Sequence, residues 1–324
     1  MNNSENIFSV IENGDKLEFH YSFGNDDDTH ALNAYIRNAC EKEFLRIIKT
    51  LSAELGIHVD VEAEAKKEGS IREIYNFLLS ENGIAITAWA GIFLSIFIYI
   101  FPRKTKDEKI LAQLDIINKA KELENEGIPL PQKMEIYLEK LYSSHKIKKQ
   151  KSNFFKNLMK EKKIKTLEVS AIDKDAKKCK VLVAIPRSDF ESYFLLTDDL
   201  ESEFDDKAVI EIISPVLKKG RYSWRGIYRR ENQIHEFAMA DKEFKRSVVD
   251  DGISFQNGTE LNCQIEICKK LDDMGEVYNS QYKIHKVFDH RIGDIVTEMP
   301  SGKKKREKEK LDNMQGKLFS DTDT

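Results

Sequence analysis

What this sequence lacks narrows its chemistry first. No HExxH, GxSxG, GxxxxGK[ST] or GxGxxG pattern occurs in the 324 residues. The usual signatures of zinc peptidases, serine hydrolases, P-loop proteins and dinucleotide-binding enzymes are therefore missing. Cysteine is scarce: Cys40, Cys179, Cys263 and Cys268 show no CxxC spacing and no local histidine partner. That argues against a zinc site and suits free, buried thiols in a reducing compartment. The N-terminus, MNNSENIFSVIENGDKLEF, has no basic stretch followed by an apolar core, so no cleaved leader is expected. Nothing in the pattern calls for a cofactor.

Charge is plentiful in general and missing in one place. Charged residues make up 33 % of the chain, yet none lies between Glu81 and Arg103. Residues 83–101, GIAITAWAGIFLSIFIYIF, approach the ~20 apolar residues that cross ~30 Å of hydrocarbon. Thr87 and Ser95 are its only clearly polar side chains, and no polar face recurs at helical spacing. The reading is one transmembrane helix over 83–102, with Tyr99 as an interfacial anchor. The alternative is a central helix buried on all sides. Arg103, Lys104, Lys106 and Lys109 follow the run, which favours a single-pass membrane protein with a cytoplasmic C-terminal side. The side of the N-terminal part stays open.

The first 82 residues hold sixteen acids against eight bases. Within them 17–23 alternates apolar and polar, as a half-buried strand does. Leu32, Ile36, Cys40, Phe44, Ile47, Leu51 and Leu55 then form one helical stripe, with Thr29 or Asp28 as N-cap and Gly56 as C-cap. Residues 57–65 alternate again, and Ser70 precedes a short helix, IREIYNFLL. The expected β-α-β-α module, 1–82, is too small to stand alone comfortably, so self-association or a protein partner on its sheet is expected. Were the two strands neighbours, His20, His58, Asp60 and Glu62 would share a wet face able to hold a divalent metal. Polar residues on the wet face of a strand are equally what alternation demands.

Residues 103–163 read as a helical hairpin stalk ending in a lysine-rich stretch. From His145 to Lys165 that stretch carries nine lysines, one glutamate and an interleaved Phe154, Phe155, Leu158 and Met159. An anionic lipid bilayer or a nucleic acid would attract it, and a solvated linker is the plainer account. Beyond it, 164–298 is mostly period two, with short helices at 189–196 and 241–249 and a hairpin signal at Asn257-Gly258. This predicts a β-rich α+β domain, barrel-like or sandwich-like. In KKGRYSWRGIYRR, strict alternation puts Tyr222, Trp224 and Tyr228 on one face and Arg221, Arg225 and Arg229 on the other. Such a mixture suits a single-strand nucleic-acid platform, although alternation separates rings from guanidiniums.

The tail, 299–324, is charged and coreless, hence expected to be disordered. Within it Gln315, Leu318 and Phe319 make a QxxLF pattern. This resembles the short peptide by which bacterial proteins dock on the DNA polymerase sliding clamp. The resemblance implies a Gln that anchors by hydrogen bonds and a Leu-Phe pair that fills an apolar pocket. Three functional expectations follow. The first is a membrane-anchored, non-enzymatic interaction or sensor/effector protein, of the kind found in bacterial stress or antiviral responses. The second is a metal-dependent enzyme using the N-terminal His/Asp/Glu face. The third is a nucleic-acid-associated module recruited through the tail.

Overall fold

The computed structural model describes residues 16–23, 31–63, 72–81, 84–85, 88–101, 105–127, 134–172 and 178–320. The chain divides into two units, Met1–Thr197 with Asp273–Gly275, and Asp198–Asp272 with Glu276–Thr324. The architecture is mixed α+β, and the second unit is a β-barrel.

In the first unit β1 (Lys16–Phe23) lies between β3 (Arg72–Glu81) and β5 (Ile164–Ile172). With β2 (His58–Ala63) and β6 (Lys178–Pro186) they form an antiparallel sheet of order β2-β3-β1-β5-β6, and the short β4 (Ile84–Ala85) pairs with β3. Helix α1 (Ala34–Leu55) starts at Asn33, whose side chain accepts hydrogen bonds from the Tyr35 and Ile36 amides. Asn33, not Thr29 or Asp28, is thus the cap. Gly56 ends the helix at φ 66°, in the left-handed region where a glycine costs least. Cys40, Phe44, Ile47, Leu51 and Leu55 are buried along one stripe, as the spacing predicts.

The described part of the uncharged run does not form a helix of membrane-spanning length. Its helix, α2 (Ala88–Ile100), has 13 residues, about 20 Å at 1.5 Å per residue. No helix among the described residues is long and apolar enough to cross a bilayer. Every residue from Ile92 to Phe101 is buried by protein instead. Phe97 and Phe101 pack on Phe19 of the sheet and on Phe44 and Phe154 of two helices. Within the run, the Ser95 hydroxyl donates to the Gly91 carbonyl at 2.7 Å. Lysine supplies the end: Lys151 Nζ donates to the Ile100 carbonyl at 2.9 Å, placing a cation at the negative end of α2.

The stalk is a pair of helices, α3 (Lys106–Asn125), opened by a capping box at Thr105 and Glu108, and α4 (Met134–Ser143). The lysine-rich stretch is helix α5 (His145–Met159), and its apolar residues are already used. Phe154, Phe155 and Leu158 are fully buried in the first unit's core, so the helix has no free apolar stripe of the kind a membrane-surface helix inserts. Strands β5 and β6 also belong to the N-terminal sheet, and the second compact unit opens at Asp198. They extend the sheet that β1, β2 and β3 begin.

From Arg72 on, the segment expected as the helix IREIYNFLL is strand β3. Its pattern fits both periods, and pairing with β1 and β2 decides in favour of two. Glu73, Tyr75 and Phe77 point inward. A buried carboxylate needs partners, and Glu73 has three: the Arg37 Nε, the Tyr75 hydroxyl at 2.9 Å and the Tyr21 hydroxyl at 3.2 Å.

The second unit is built from β7 (Glu203–Ser214), β8 (Trp224–Tyr228), β9 (Gln233–Met239), β10 (Glu260–Leu271) and β11 (Val277–Ile292). They follow the order β10-β7-β8-β9-β11, and a further β10–β11 pairing closes the ring. All pairs are antiparallel except β9–β11. Strand β12 (Ile295–Glu298) folds back and pairs antiparallel with the end of β11, and α6 (Lys242–Val249) links β9 to β10. Trp224, Tyr228, Phe237, Ile265 and Ile284 fill the interior. Asp241 caps α6 through one carboxylate oxygen and receives the Val287 amide and the Ser301 hydroxyl on the other.

Three sequence expectations change in detail. The hairpin signal at Asn257-Gly258 calls for a strand on each side, but residues 253–256 before it are not a strand, and Gln256 and Thr259 close a turn there instead. The segment expected as a helix at 189–196 is a 3-10 turn, Arg187–Tyr193. The tail expected as disordered is helix α7 (Pro300–Ser320), held by Lys304–Glu243 and Arg306–Glu298 ion pairs. Gly302 permits this docking, because a Cβ there would lie 2.2 Å from the Phe288 carbonyl oxygen.

Candidate nucleic-acid interface

Residues 212–230, IISPVLKKGRYSWRGIYRR, contain six lysines and arginines and no acid. They form the end of β7, the β7–β8 loop and β8. Period-two alternation holds only from Trp224, where β8 begins. Trp224, Gly226 and Tyr228 face the barrel interior, and Arg225 faces out. Gly226 is needed at the centre, since a Cβ would meet the Glu211 carbonyl oxygen at 2.6 Å.

Tyr222 departs from the sequence reading. It precedes β8, belongs to the loop and is 60 % exposed instead of joining Trp224 and Tyr228 inside. Its ring lies over Gly220, where a Cβ would come within 2.5 Å of the ring edge. That glycine, two residues before the tyrosine, was the available sign that alternation would not extend so far. Arg221 and Arg225 are exposed, and neither guanidinium pairs with a carboxylate among the described residues.

Arg229 is differently placed. Its Nη2 lies 3.0 Å from both Glu211 Oε2 and Glu260 Oε1, so its charge is already matched. Lys219 pairs with Asp250 at 3.1 Å. The unmatched cations are therefore Arg221, Arg225 and the exposed Lys218, with the Tyr222 ring beside them in sequence. Ile213, Leu217 and Ile234, each about half exposed, add apolar surface on the same loop and neighbouring strands.

Of the residues considered for a metal, His58 and Asp60 meet, but His20 is not brought to them. His20 stands opposite Arg72 on β3, whereas His58 stands opposite Ser80, eight residues along the same strand. At about 3.3 Å per residue that is an offset of ~26 Å along β3. Strand β3 also separates β1 from β2. His20 Nδ1 lies 3.5 Å from Glu168, and His58 Nε2 lies 3.1 Å from Asp60. Glu62 receives a hydrogen bond from Asn76. No group of three or more metal-ligating side chains occurs among the described residues. Gln315, Leu318 and Phe319 lie on the last turns of α7, and their side chains fall outside the described set.

Elsewhere on the barrel, Glu266 on β10 gathers partners that sequence reading did not connect. His285 Nε2 lies 2.7 Å from one carboxylate oxygen, and the Ser202 hydroxyl donates to the other at 2.8 Å. The His285 bond first, then the Ser202 bond, pull the carboxyl down to about 2. Of the described cysteines, burial pushes the Cys40 thiol up to about 12 and the Cys263 thiol higher still, which leaves both unreactive.

Comparison with protein-family models, curated proteins and solved structures yields no match for this chain.

Proposed function

We propose that the C-terminal unit is a non-enzymatic binding module for a single nucleic-acid strand, held on the β7–β8 loop and the outer face of β8. The observation that carries this reading is the exposed pair Arg221 and Arg225, without carboxylate partners, on either side of the exposed Tyr222 in sequence. Guanidiniums attract the phosphate backbone, and an exposed ring offers a base a surface to stack on. The strand order adds support. A closed five-stranded barrel with its third and fifth strands parallel, and a helix between the third and fourth, has the connectivity of an OB barrel. In that architecture the second and third strands and adjoining loops bind oligonucleotides or oligosaccharides. Fold alone does not assign function, and the unmatched arginines are what favour a polyanion.

Fluorescence anisotropy with labelled single-stranded DNA tests the reading across a salt series. With Lys218, Arg221 and Arg225 as three contacts, the logarithm of the binding constant should fall against log salt with a slope of about −2. Joint Arg221→Glu and Arg225→Glu replacement should abolish binding while circular dichroism stays unchanged. Equal binding by the charge-reversed protein, or no binding by the native protein at low salt, sinks the proposal.

Ile213, Leu217 and Ile234 favour a second reading, in which the same face holds a protein partner. Binding of that kind would survive high salt. Recruitment through Gln315, Leu318 and Phe319 to a sliding clamp fits with the first reading, and an extended docking peptide would require the end of α7 to unwind.

A further inference from the structure

The α6 end of the barrel contains two buried polar atoms without partners. Trp224 opens β8 with its side chain 1 % exposed, and its indole Nε1 makes no hydrogen bond among the described residues. His290, near the end of β11, is 4 % exposed, and its Nε2 makes none either. Folded proteins pair nearly all such groups, so two orphans at one end of one core call for an explanation.

The side chains that carry them border the same ring. Phe255 presents its edge or face to each, with centroids 5.5 Å from Trp224 at 67° and 5.2 Å from His290 at 82°. A phenyl ring fills space there but offers the indole N–H no lone pair in its plane and the imidazole no proton. Phe255 sits on the irregular segment 250–258, half-buried between Gly252 at φ +71° and Gly258 at φ +79°. No atom lies within 4 Å of where a Cβ would stand at either glycine, so both are free of packing that would resist rotation. Between the glycines the segment is tied by the Ile253 amide to the Ser247 carbonyl at 3.4 Å, by His290 to the Ser254 backbone, and at its far end by the Gln256–Thr259 turn, whose bonds the swing must carry along or break.

We propose that Phe255 occupies a slot built for a flat nitrogen heterocycle of the nucleobase class, admitted between Trp224 and His290 when segment 250–258 swings aside. Such a ring supplies what phenyl lacks. A ring nitrogen or carbonyl oxygen accepts from the Trp224 N–H, and an exocyclic amine or ring N–H donates to the bare His290 Nε2. Burial lowers the proton affinity of His290, and its other nitrogen serves the Ser254 backbone, so Nε2 carries a lone pair. The slot lies on the inward side of β8, and it stands independently of the Arg221/Arg225 surface. Its ligand is either a base of a bound strand or a free nucleobase.

The chain has two tryptophans, so Trp89→Phe leaves the Trp224 indole as a single reporter in fluorescence and in the 15N–1H spectrum. The full chain is titrated with adenine, cytosine, short oligo-dA and oligo-dC, and benzene as an apolar control. Phe255→Ala, or Phe255→Leu if the alanine variant fails to fold, removes the competing ring. It should bind adenine or cytosine at least tenfold tighter than the native chain, with a saturable shift of the Trp224 Nε1–H resonance. Adding His290→Leu should cost that gain and leave benzene binding intact. Response to free base identifies a small-molecule ligand, and response to oligonucleotide alone identifies a strand. Survival of the response in Arg221→Glu, Arg225→Glu protein separates this slot from the outer surface. Benzene binding as tight as the bases overturns the proposal. So does an indole resonance unmoved by every base and oligonucleotide in native and variant chains, which would mean that water satisfies both orphans.

Discussion

Phe97 of α2 meets Phe44 of α1 edge to face, ring centroids 5.6 Å apart at 89°. That contact joins the most apolar stretch of the chain to the helix covering its N-terminal sheet. Phe97 also faces Phe19 and stacks on Phe101 at 5.0 Å. Phe97→Ala should therefore destabilise the first unit by about 3–5 kcal/mol, the usual cost of emptying a buried aromatic site. Urea titration monitored by circular dichroism measures it. A loss below about 1 kcal/mol would mean that this helix is not packed inside the protein.

The carboxylate of Glu73 is the polar counterpart. Replacing it with alanine leaves Arg37 and two buried hydroxyls without their acceptor, and a loss of about 3–5 kcal/mol is expected. Glu73→Gln, which keeps an acceptor, should cost clearly less. Equal losses for the two variants would show that the network contributes nothing beyond volume.

High pH tests the same region. Burial first, and the negative charge of Glu73 second, push the Tyr21 and Tyr75 hydroxyls well above the ordinary phenol value. Burial also raises Tyr99 and Tyr137. A group whose folded value is raised stabilises the fold fully below its unfolded value, about 10, and that stabilisation drains away as pH rises beyond it. Stability should fall steeply above pH ~10, and the late fraction of tyrosinate absorbance should appear together with unfolding. Smooth ionisation of all tyrosines in the folded protein would contradict this.

Acid should act on the barrel through Glu266. Its folded value of about 2 lies below the ordinary carboxyl value, so its contribution is present above pH ~4.3 and is lost as pH falls toward 2. His285→Ala removes the main cause and should move the Glu266 titration upward, as followed by carboxyl 13C shifts. An unchanged titration would show that the 2.7 Å contact carries no weight.

Gly226 makes the barrel's close approach of β7 and β8 possible. Gly226→Ala sets a methyl against the Glu211 carbonyl oxygen and the Ile210 side chain. Overpacking of this kind costs about 1–3 kcal/mol, and the loss should appear as an earlier denaturation of the second unit. A variant as stable as the native chain would mean that the strands separate freely there.

Local pattern alone determined a good part of this protein. The stripe from Cys40 to Leu55 wrote α1, Gly56 ended it, Asp241 started α6, and the alternation in 165–172, 208–212 and 260–267 wrote strands with their inward faces. These are decisions between neighbours three, four or two residues apart, and side-chain polarity carries them. Tertiary structure decided the rest. Whether residues 92–101 meet lipid or protein depends on Phe19, Phe44 and Phe154, which lie far away in sequence and carry no local mark of that role. Strand β3 satisfies two periods at once, and only pairing with β1 and β2 chose between them. His20 and His58 look like neighbours until β3 is laid between their strands. Burial of an apolar face is favourable against any surface of the right shape, so a sequence announces the need for a partner surface while the fold alone selects which one.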